Sequence, residues 1–407
     1  MFRVFGRIGL LSFGGPAAQI SLMHRELVTE QRWLSEPDFL RALSLCMLLP
    51  GPEAMQLATY AGWRLHGTRG GLIAGLLFVL PGALVVLALA LGYAVYGQVP
   101  LVQAAFAGIK AAVIVIVLQA LCRVAGKSLK TPTAWILALA AFSGLFLFGI
   151  PFPLLVISAG LWGFLTTRTT EAPAPPALPL HHNSLRTFVI WAGLWLAPVL
   201  VLAATGQTFL TDIALFFSKL AVVTFGGAYA VLTWITQTVV TDFGWITPDQ
   251  MIDALGLAET TPGPLILVTE FVALLAGYAQ GGVPLALAAG AVTLWVTFVP
   301  CFLWIFLAGP WLDAISARPR LSAALEAVTA AVVGVILNLA VWFAIHVLFT
   351  RTLPDTGIAA PLPDPGSADF QAFLLTGLAA VLITGLNWGI LKVLPAIALA
   401  GLLTSLF

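Results

Sequence analysis

Between Gly70 and Tyr96 the chain carries no charged residue. About 20 mostly apolar residues suffice for a helix to cross the hydrocarbon of a bilayer, so this stretch is long enough to span one. Similar stretches follow at Val99–Cys122, Thr133–Gly149, Phe152–Thr167, Thr187–Thr205, Val283–Trp311, Val328–Phe349, Phe370–Thr384 and Ile390–Phe407. Four more are apolar but interrupted: Phe2–His24, Phe39–Trp63, Thr208–Val240 and Met251–Gln280. The pattern predicts an all-α polytopic membrane protein with thirteen candidate spans. Composition agrees, with 60% hydrophobic and 9% charged residues, against about 25% charged in soluble chains. Most of the surface must therefore face the lipid bilayer.

Composition also excludes several classes. A net charge of +1 leaves no electrostatic footprint for nucleic acid. Cys46, Cys122 and Cys301 are far apart, with no CxxC and no adjacent histidine, so neither a metal site nor a disulfide framework is readable. No cofactor motif and no nucleotide-binding loop is present. Arg3, Arg7 and a glycine-broken stretch do not make a secretory signal, so the N-terminus is expected to be retained.

Lysine and arginine in short loops set orientation. Positive loops lie at Arg64–Arg69, Arg123–Lys130, Arg168–Arg186 and Arg318–Arg320, whereas Gly97–Pro100 and Gly149–Pro153 are uncharged and Arg351–Asp369 is acidic. Thirteen spans with a cytoplasmic N-terminus put all four positive loops inside. They also put Val240–Asp249 inside, although it holds only Asp242 and Asp249. Re-entrant hairpins replacing two adjacent interrupted spans keep the same parity.

The chain repeats itself at an offset of 212: 13 of 40 ungapped positions agree between 13–52 and 225–264, where chance gives about three. Phe13-Gly14-Gly15 matches Phe225-Gly226-Gly227, Trp33 matches Trp245, and Pro50-Gly51-Pro52 matches Pro262-Gly263-Pro264. At an offset of 219, Ala111-Ala112-Val113 matches Ala330-Ala331-Val332 and Gln119 matches Asn338. The predicted organisation is a first repeat (1–167), a Pro-rich cytoplasmic linker (168–186), a connecting helix (187–205) and a second repeat (206–407). His181 and His182 in the linker are read as solvated. One connecting helix between two six-span halves turns the second upside down, and inverted repeats are typical of secondary transporters that bind substrate at the repeat interface.

The glycine pairs and the two Pro-Gly-Pro runs fall near the centres of the interrupted segments. Proline inside a helix removes a hydrogen bond and costs about 3 kcal/mol. In hydrocarbon such breaks persist only where they are buried in protein or line a wet cavity. Pro52 and Pro264 suit the first turn of a new half-helix, whose N–H groups and partial positive charge suit an anion. Close packing or hinging is the alternative reading for each break.

The stretches SFGGPAAQISLMHRELV (12–28), LCMLLPGPEAMQLATYAGW (45–63), VVTFGGAYAVL (222–232) and LGLAETTPGPLILVTEF (255–271) resemble the chromate ion transporter family, in its long two-half form. The resemblance implies export of chromate, or of a similar tetrahedral oxyanion such as sulfate, across the bacterial inner membrane under a proton or voltage gradient. A homodimer is left open. On this reading Ser12, Gly14, Gly15, Pro50, Gly51, Pro52, Gln56, Thr224, Gly226, Gly227, Thr260, Thr261, Pro262, Gly263 and Pro264 form the candidate substrate site.

Ionisable residues within membrane segments are costly and usually functional. Arg7, Lys110 and Lys219 are candidates for attracting the anion, and Glu53, Glu259 and Glu270 for proton coupling. His24 and Arg25, at the end of a segment, suit gating. Gln119 and Asn338 are expected to join helices. An anion channel could use the same broken helices. A membrane enzyme should show a catalytic cluster near one face, and none is visible.

Overall fold

The computed structural model describes residues 1–167, 184–225, 228–312, 318–353 and 357–405. His181, His182, most of the linker, and Gly226 and Gly227 lie outside the described residues. The helices are α1 (Phe2–Leu11), α2 (Gly15–His24), α3 (Glu36–Leu48), α4 (Glu53–Tyr96), α5 (Pro100–Ser128), α6 (Pro132–Phe146), α7 (Phe152–Thr166) and α8 (Ser184–Ala204). They continue with α9 (Thr208–Val223), α10 (Ala228–Thr236), α11 (Pro248–Thr260), α12 (Val268–Ala308), α13 (Pro319–Leu348), α14 (Phe370–Ala380) and α15 (Ile390–Thr404). A two-residue antiparallel ladder pairs Thr352–Leu353 with Leu362–Pro363.

Among the described residues, five helical stretches are long and apolar enough to cross a membrane, and four shorter apolar ones accompany them. Leu84, Leu101, Ile136, Leu165, Leu200 and Phe370 are all exposed, as suits a surface solvated by lipid rather than water. The chain divides into two compact units. The first takes Met1–Ala90, Trp162–Ala228 and Thr261–Leu325; the second takes Leu91–Leu161, Tyr229–Thr260 and Glu326–Phe407. Each sequence half therefore contributes to both.

Two of the long helices are hairpins. In α4 the backbone leaves the helical region at His66 and Gly67, where Gly67 takes φ +62°. A β-carbon on Gly62 would lie 2.3 Å from the Gly70 carbonyl oxygen, and one on Gly70 would lie 2.2 Å from that of Gly62. The two arms thus run back along each other in backbone contact, as small residues permit between membrane helices. In α12 the same turn falls at Gly281 and Gly282, with Gly277 against the backbone of Leu285 and Ala286. The predicted spans beginning at Gly70 and Val283 are the second arms.

The first unit also folds back at its interrupted segments. Arg7 on α1 pairs with Glu26 at 3.2 Å and with Glu30 at 3.8 Å. Were α1 and α2 collinear, Arg7 and Glu26 would stand about 28 Å apart, far beyond the reach of two side chains. Likewise, hydrogen bonds from Ser35 and Arg41 hold the Asp38 carboxyl below its usual range, and Arg64 adds to the effect. Arg64 lies beyond the Pro-Gly-Pro break and would be about 39 Å away in a straight helix. Phe2–His24 and Phe39–Trp63 are therefore folded-back pairs of short helices, the re-entrant form that the parity of the spans leaves open. Neither arm of α1–α2 is long enough to cross alone: the 10 residues of α1 rise about 15 Å.

A repeated helix stop confirms the duplication in three dimensions. The six residues Arg25–Glu30 form a π-helical turn, and so do Gln237–Asp242 at the same offset of 212. Each is followed by a residue at positive φ, Arg32 (+53°) and Gly244 (+61°). Each then closes with a tryptophan N–H on a carbonyl six residues back, Trp33 to Leu27 and Trp245 to Val239, both at 2.8 Å. A third copy ends the helix that begins with α14, where Val381–Gly385 is π-helical, Asn387 has φ +53° and Trp388 donates to Leu382 at 3.0 Å.

The second unit has its own apolar core, in which Ala112, Val115 and Ile116 of α5 pack with Ala379, Leu382 and Ile383 and with Val393, Leu394 and Ile397 of α15.

Candidate functional site

The breaks meet in reciprocal pairs within the first unit. The Gly51 N–H donates to the Thr224 carbonyl at 2.8 Å, and the Gly263 N–H donates to the Ser12 carbonyl at 3.0 Å. Residues 51 and 263, and residues 12 and 224, are repeat equivalents. Each Pro-Gly-Pro run of one half thus hydrogen-bonds the segment just before the glycine pair of the other. A broken helix must satisfy the backbone groups it frees, and here the two halves satisfy each other.

Gly51 and Gly263 hold φ +122° and +88°, which a helix cannot contain. Gly14 and Gly15 hold φ +82° and +78°, and α2 starts there. Side chains then lock the pairs. Buried Gln19 donates to the Gly263 carbonyl at 2.7 Å and to that of Ser12 at 3.3 Å. Buried Gln56 donates to the Pro50 carbonyl at 2.6 Å, and its own N–H reaches the Pro52 carbonyl at 3.0 Å. A β-carbon on Gly82 would lie 2.2 Å from the Pro262 carbonyl oxygen, so the second arm of α4 touches the other break directly.

The N–H groups of Gly51 and Gly263, which precede the half-helices, are thus already taken by the other half. The hydroxyls of Ser12 and Thr224 are also engaged, each donating four residues back, to Ile8 at 2.5 Å and Leu220 at 2.6 Å. Such back-bonding is the usual resort of a helical Ser or Thr in an apolar setting. Pro264 precedes a short 3-10 turn, Leu265–Leu267, before α12, whereas Glu53 directly opens α4.

The remaining candidates disperse. Thr261 is buried in the first unit, whereas Thr260 ends α11 in the second and bonds Leu257 at 2.6 Å. Arg7 is held by Glu26 and Glu30. Lys110 pairs with Asp249 at 2.6 Å and approaches Asp253 at 4.0 Å in the second unit. Lys219 is exposed on α9. His24 contacts Glu36 at 2.7 Å and lies edge-on to Phe39, and Arg25 reaches Glu30 at 3.5 Å, so both sit at the ends of the folded-back helices. Among the proton-coupling candidates, Glu259 is buried in the second unit and accepts the Tyr229 hydroxyl. Glu270 is buried in the first unit, with one carboxylate oxygen lacking any hydrogen-bond partner.

Several residues were not foreseen. Gln19, Gly82 and Cys301 reach the breaks from elsewhere in the chain. Tyr93 donates to Asp253 at 2.6 Å, beside Lys110 and Asp249. Asn338, expected to join helices, lines a cavity with Thr233, Thr236, Gln237 and Trp342. Gln19 had a signal: it is polar where its repeat equivalent, Val231, is not. No group of three or more metal-binding side chains is found among the described residues.

Comparison with known proteins places this arrangement. The family model described as Chromate transporter matches residues 1–164 and 211–404. A probable chromate transport protein of Synechococcus elongatus is 33% identical over 353 residues, covering 86% of this chain and 84% of that one. The chromate transport protein of Cupriavidus metallidurans is 32% identical over 358 residues (86% and 82%), and that of Pseudomonas aeruginosa is 34% identical over 352 (83% and 78%). No solved structure matches. With one family model covering both halves and relatives matched along most of their length, this multi-pass membrane protein, a transporter and not an enzyme, belongs to the chromate transporter family.

Proposed function

We propose that the protein exports chromate, or a similar tetrahedral oxyanion such as sulfate, across the bacterial inner membrane by alternating access, driven by the proton or voltage gradient. The observation that carries this reading is the reciprocal pairing of the breaks, Gly51 to Thr224 and Gly263 to Ser12. Two equivalent latches, each closed by backbone hydrogen bonds between halves, supply the two-state element that a transporter requires. An oxyanion entering one latch exchanges a protein carbonyl for a substrate oxygen at the same N–H and releases that half. Half-helix N-termini favour the anion's charge. The second half is taken as inverted, with the N-terminus in the cytoplasm. Glu53, Glu259 and Glu270 are the groups able to take up a proton during the cycle.

Flux of labelled chromate into proteoliposomes, with pH and voltage set independently and sulfate as competitor, tests this. Flux should saturate with chromate, fall when sulfate is added, and respond to an imposed pH gradient. Flux that does not saturate and follows voltage alone would indicate an anion channel built on the same broken helices.

A further inference from the structure

The second arm of α12 carries a polar stripe whose threonines the substrate site does not use. Gly290, Thr293, Thr297, Cys301 and Trp304 fall within an arc of about 80° at 100° per residue, and span about 21 Å along the helix. At one end the stripe meets Glu270, whose Cγ would lie 3.8 Å from a β-carbon on Gly290. At the other it meets the first-half break: a β-carbon on Gly51 would lie 2.9 Å from Cys301 Sγ and 2.9 Å from Gln56 Nε2. Thr293, Thr297, Gln56 and Glu270 are each at most 3% exposed. Thr293 Oγ1, Thr297 Oγ1, Gln56 Oε1, Glu270 Oε2 and Trp304 Nε1 all lack a hydrogen-bond partner in the protein.

Orphaned atoms are rare in folded interiors, where buried polar groups pair with protein or with ordered water. Here five converge on one seam within one unit. Ser12 and Thr224 bond back to their own helices, but the hydroxyls of Thr293 and Thr297 do not. Gln56 Nε2 is already held by the Pro50 carbonyl, which fixes the amide and leaves Oε1 free to accept. Glu270 makes no ion pair among the described residues.

We propose that this stripe is a water-lined proton path joining Glu270 to the Pro50-Gly51-Pro52 break, which deepens the proton-coupled reading above and rests on it. A proton leaving the Glu270 carboxyl passes to the first water. Each water or threonine hydroxyl then accepts one proton and gives up another, until the Glu53 carboxylate beside the break takes one up, to release it when the substrate leaves. Glu270, buried in this conformation, is left a carboxylate and takes a new proton from water as the latches reopen, so no charge accumulates over a cycle.

The test compares Thr293→Val/Thr297→Val, which keeps shape and removes both hydroxyls, with Thr293→Ser/Thr297→Ser, which keeps the hydroxyls. Chromate-dependent proton movement is followed with a pH dye inside proteoliposomes. The valine pair should slow it by at least about tenfold, while the serine pair stays close to wild type. Brief radiolytic footprinting of the purified protein gives a second readout that needs no transport. Buried Cys301 should be modified promptly in the wild type and the serine pair by water beside it, and several-fold less in the valine pair. Unimpaired proton movement in the valine pair, equal loss in both pairs, or an unmodified wild-type Cys301 overturns the path. Wild-type chromate flux that moves no protons overturns the coupling reading itself.

Discussion

Gly51 and Gly263 occupy equivalent places, yet they should tolerate a side chain differently. A β-carbon on Gly51 would stand 2.9 Å from both Cys301 Sγ and Gln56 Nε2, at φ +122°, where other residues are strained. On Gly263, at φ +88°, it would meet the flexible end of Leu267 at 3.1 Å. Gly51→Ala should therefore cut the initial rate of chromate flux by at least about tenfold at matched membrane level, and Gly263→Ala distinctly less. Equal rates in the two variants would mean that the latches are not sensitive to local packing. Glu53 gives a second prediction at this scale. An ionised carboxylate in the first turn of α4 repels a dianion at the adjacent break. Glu53→Gln should keep chromate binding and lose the response of flux to a pH gradient; an unchanged response removes Glu53 from coupling. The breaks were legible because a glycine between two prolines cannot continue a helix. Thr293 and Thr297 were not, since threonine scarcely disturbs the hydropathy of a stretch as apolar as Val283–Trp311.

Among the elements, the folded-back α1–α2 pair depends on a charge contact that spacing alone does not reveal. Hydropathy measures how long an apolar segment is, not whether it turns, so Phe2–His24 reads as one span. The ion pair of Arg7 with Glu26 is what reveals the turn. Glu26 is 1% exposed, whereas Arg7 is about half exposed. Removing the arginine strands a buried carboxylate, and removing both partners does not. Arg7→Met should lower thermal stability in detergent by about 1–3 kcal/mol, and adding Glu26→Gln should restore much of it. A double variant as unstable as the sum of the singles would show that the pair does not hold the turn. The helix stops were in principle readable. Val28-Thr29 before Trp33, Val240-Thr241 before Trp245 and Ile383-Thr384 before Trp388 share one spacing. Only the third, outside the repeat alignment, gives no hint from duplication.

At the scale of the whole molecule, the folded-back segments change the topology that the charges imply. Extending the fold-back to the second-half equivalents of the interrupted segments turns thirteen candidate spans into nine, the number of long and short apolar helical stretches among the described residues. With the N-terminus taken as cytoplasmic, the four positive loops lie inside under either count. The loop Val240–Asp249 does not: it moves from the cytoplasm to the periplasm, where two aspartates and no basic residue suit the positive-inside rule. Contacts within the second unit favour the move. Tyr93, at the end of α4, bonds Asp253, and Lys110 bonds Asp249. Tyr93 sits just before the uncharged Gly97–Pro100 connection, and Lys110 is nearer to Pro100 than to Ser128, by about 15 Å against 27 Å of helix. The start of α11 therefore lies toward the end of α5 that carries no positive charge. In a variant lacking the three native cysteines, a single cysteine at Asp242 should react with an impermeant reagent from the same side as one at Gln98. One at Lys127 should react only from the opposite side. If Asp242→Cys instead labels with Lys127→Cys, the second-half segments cross the membrane rather than fold back. The interrupted segments of the two halves would then sit differently in the membrane, and the two latches would no longer be equivalent by inversion.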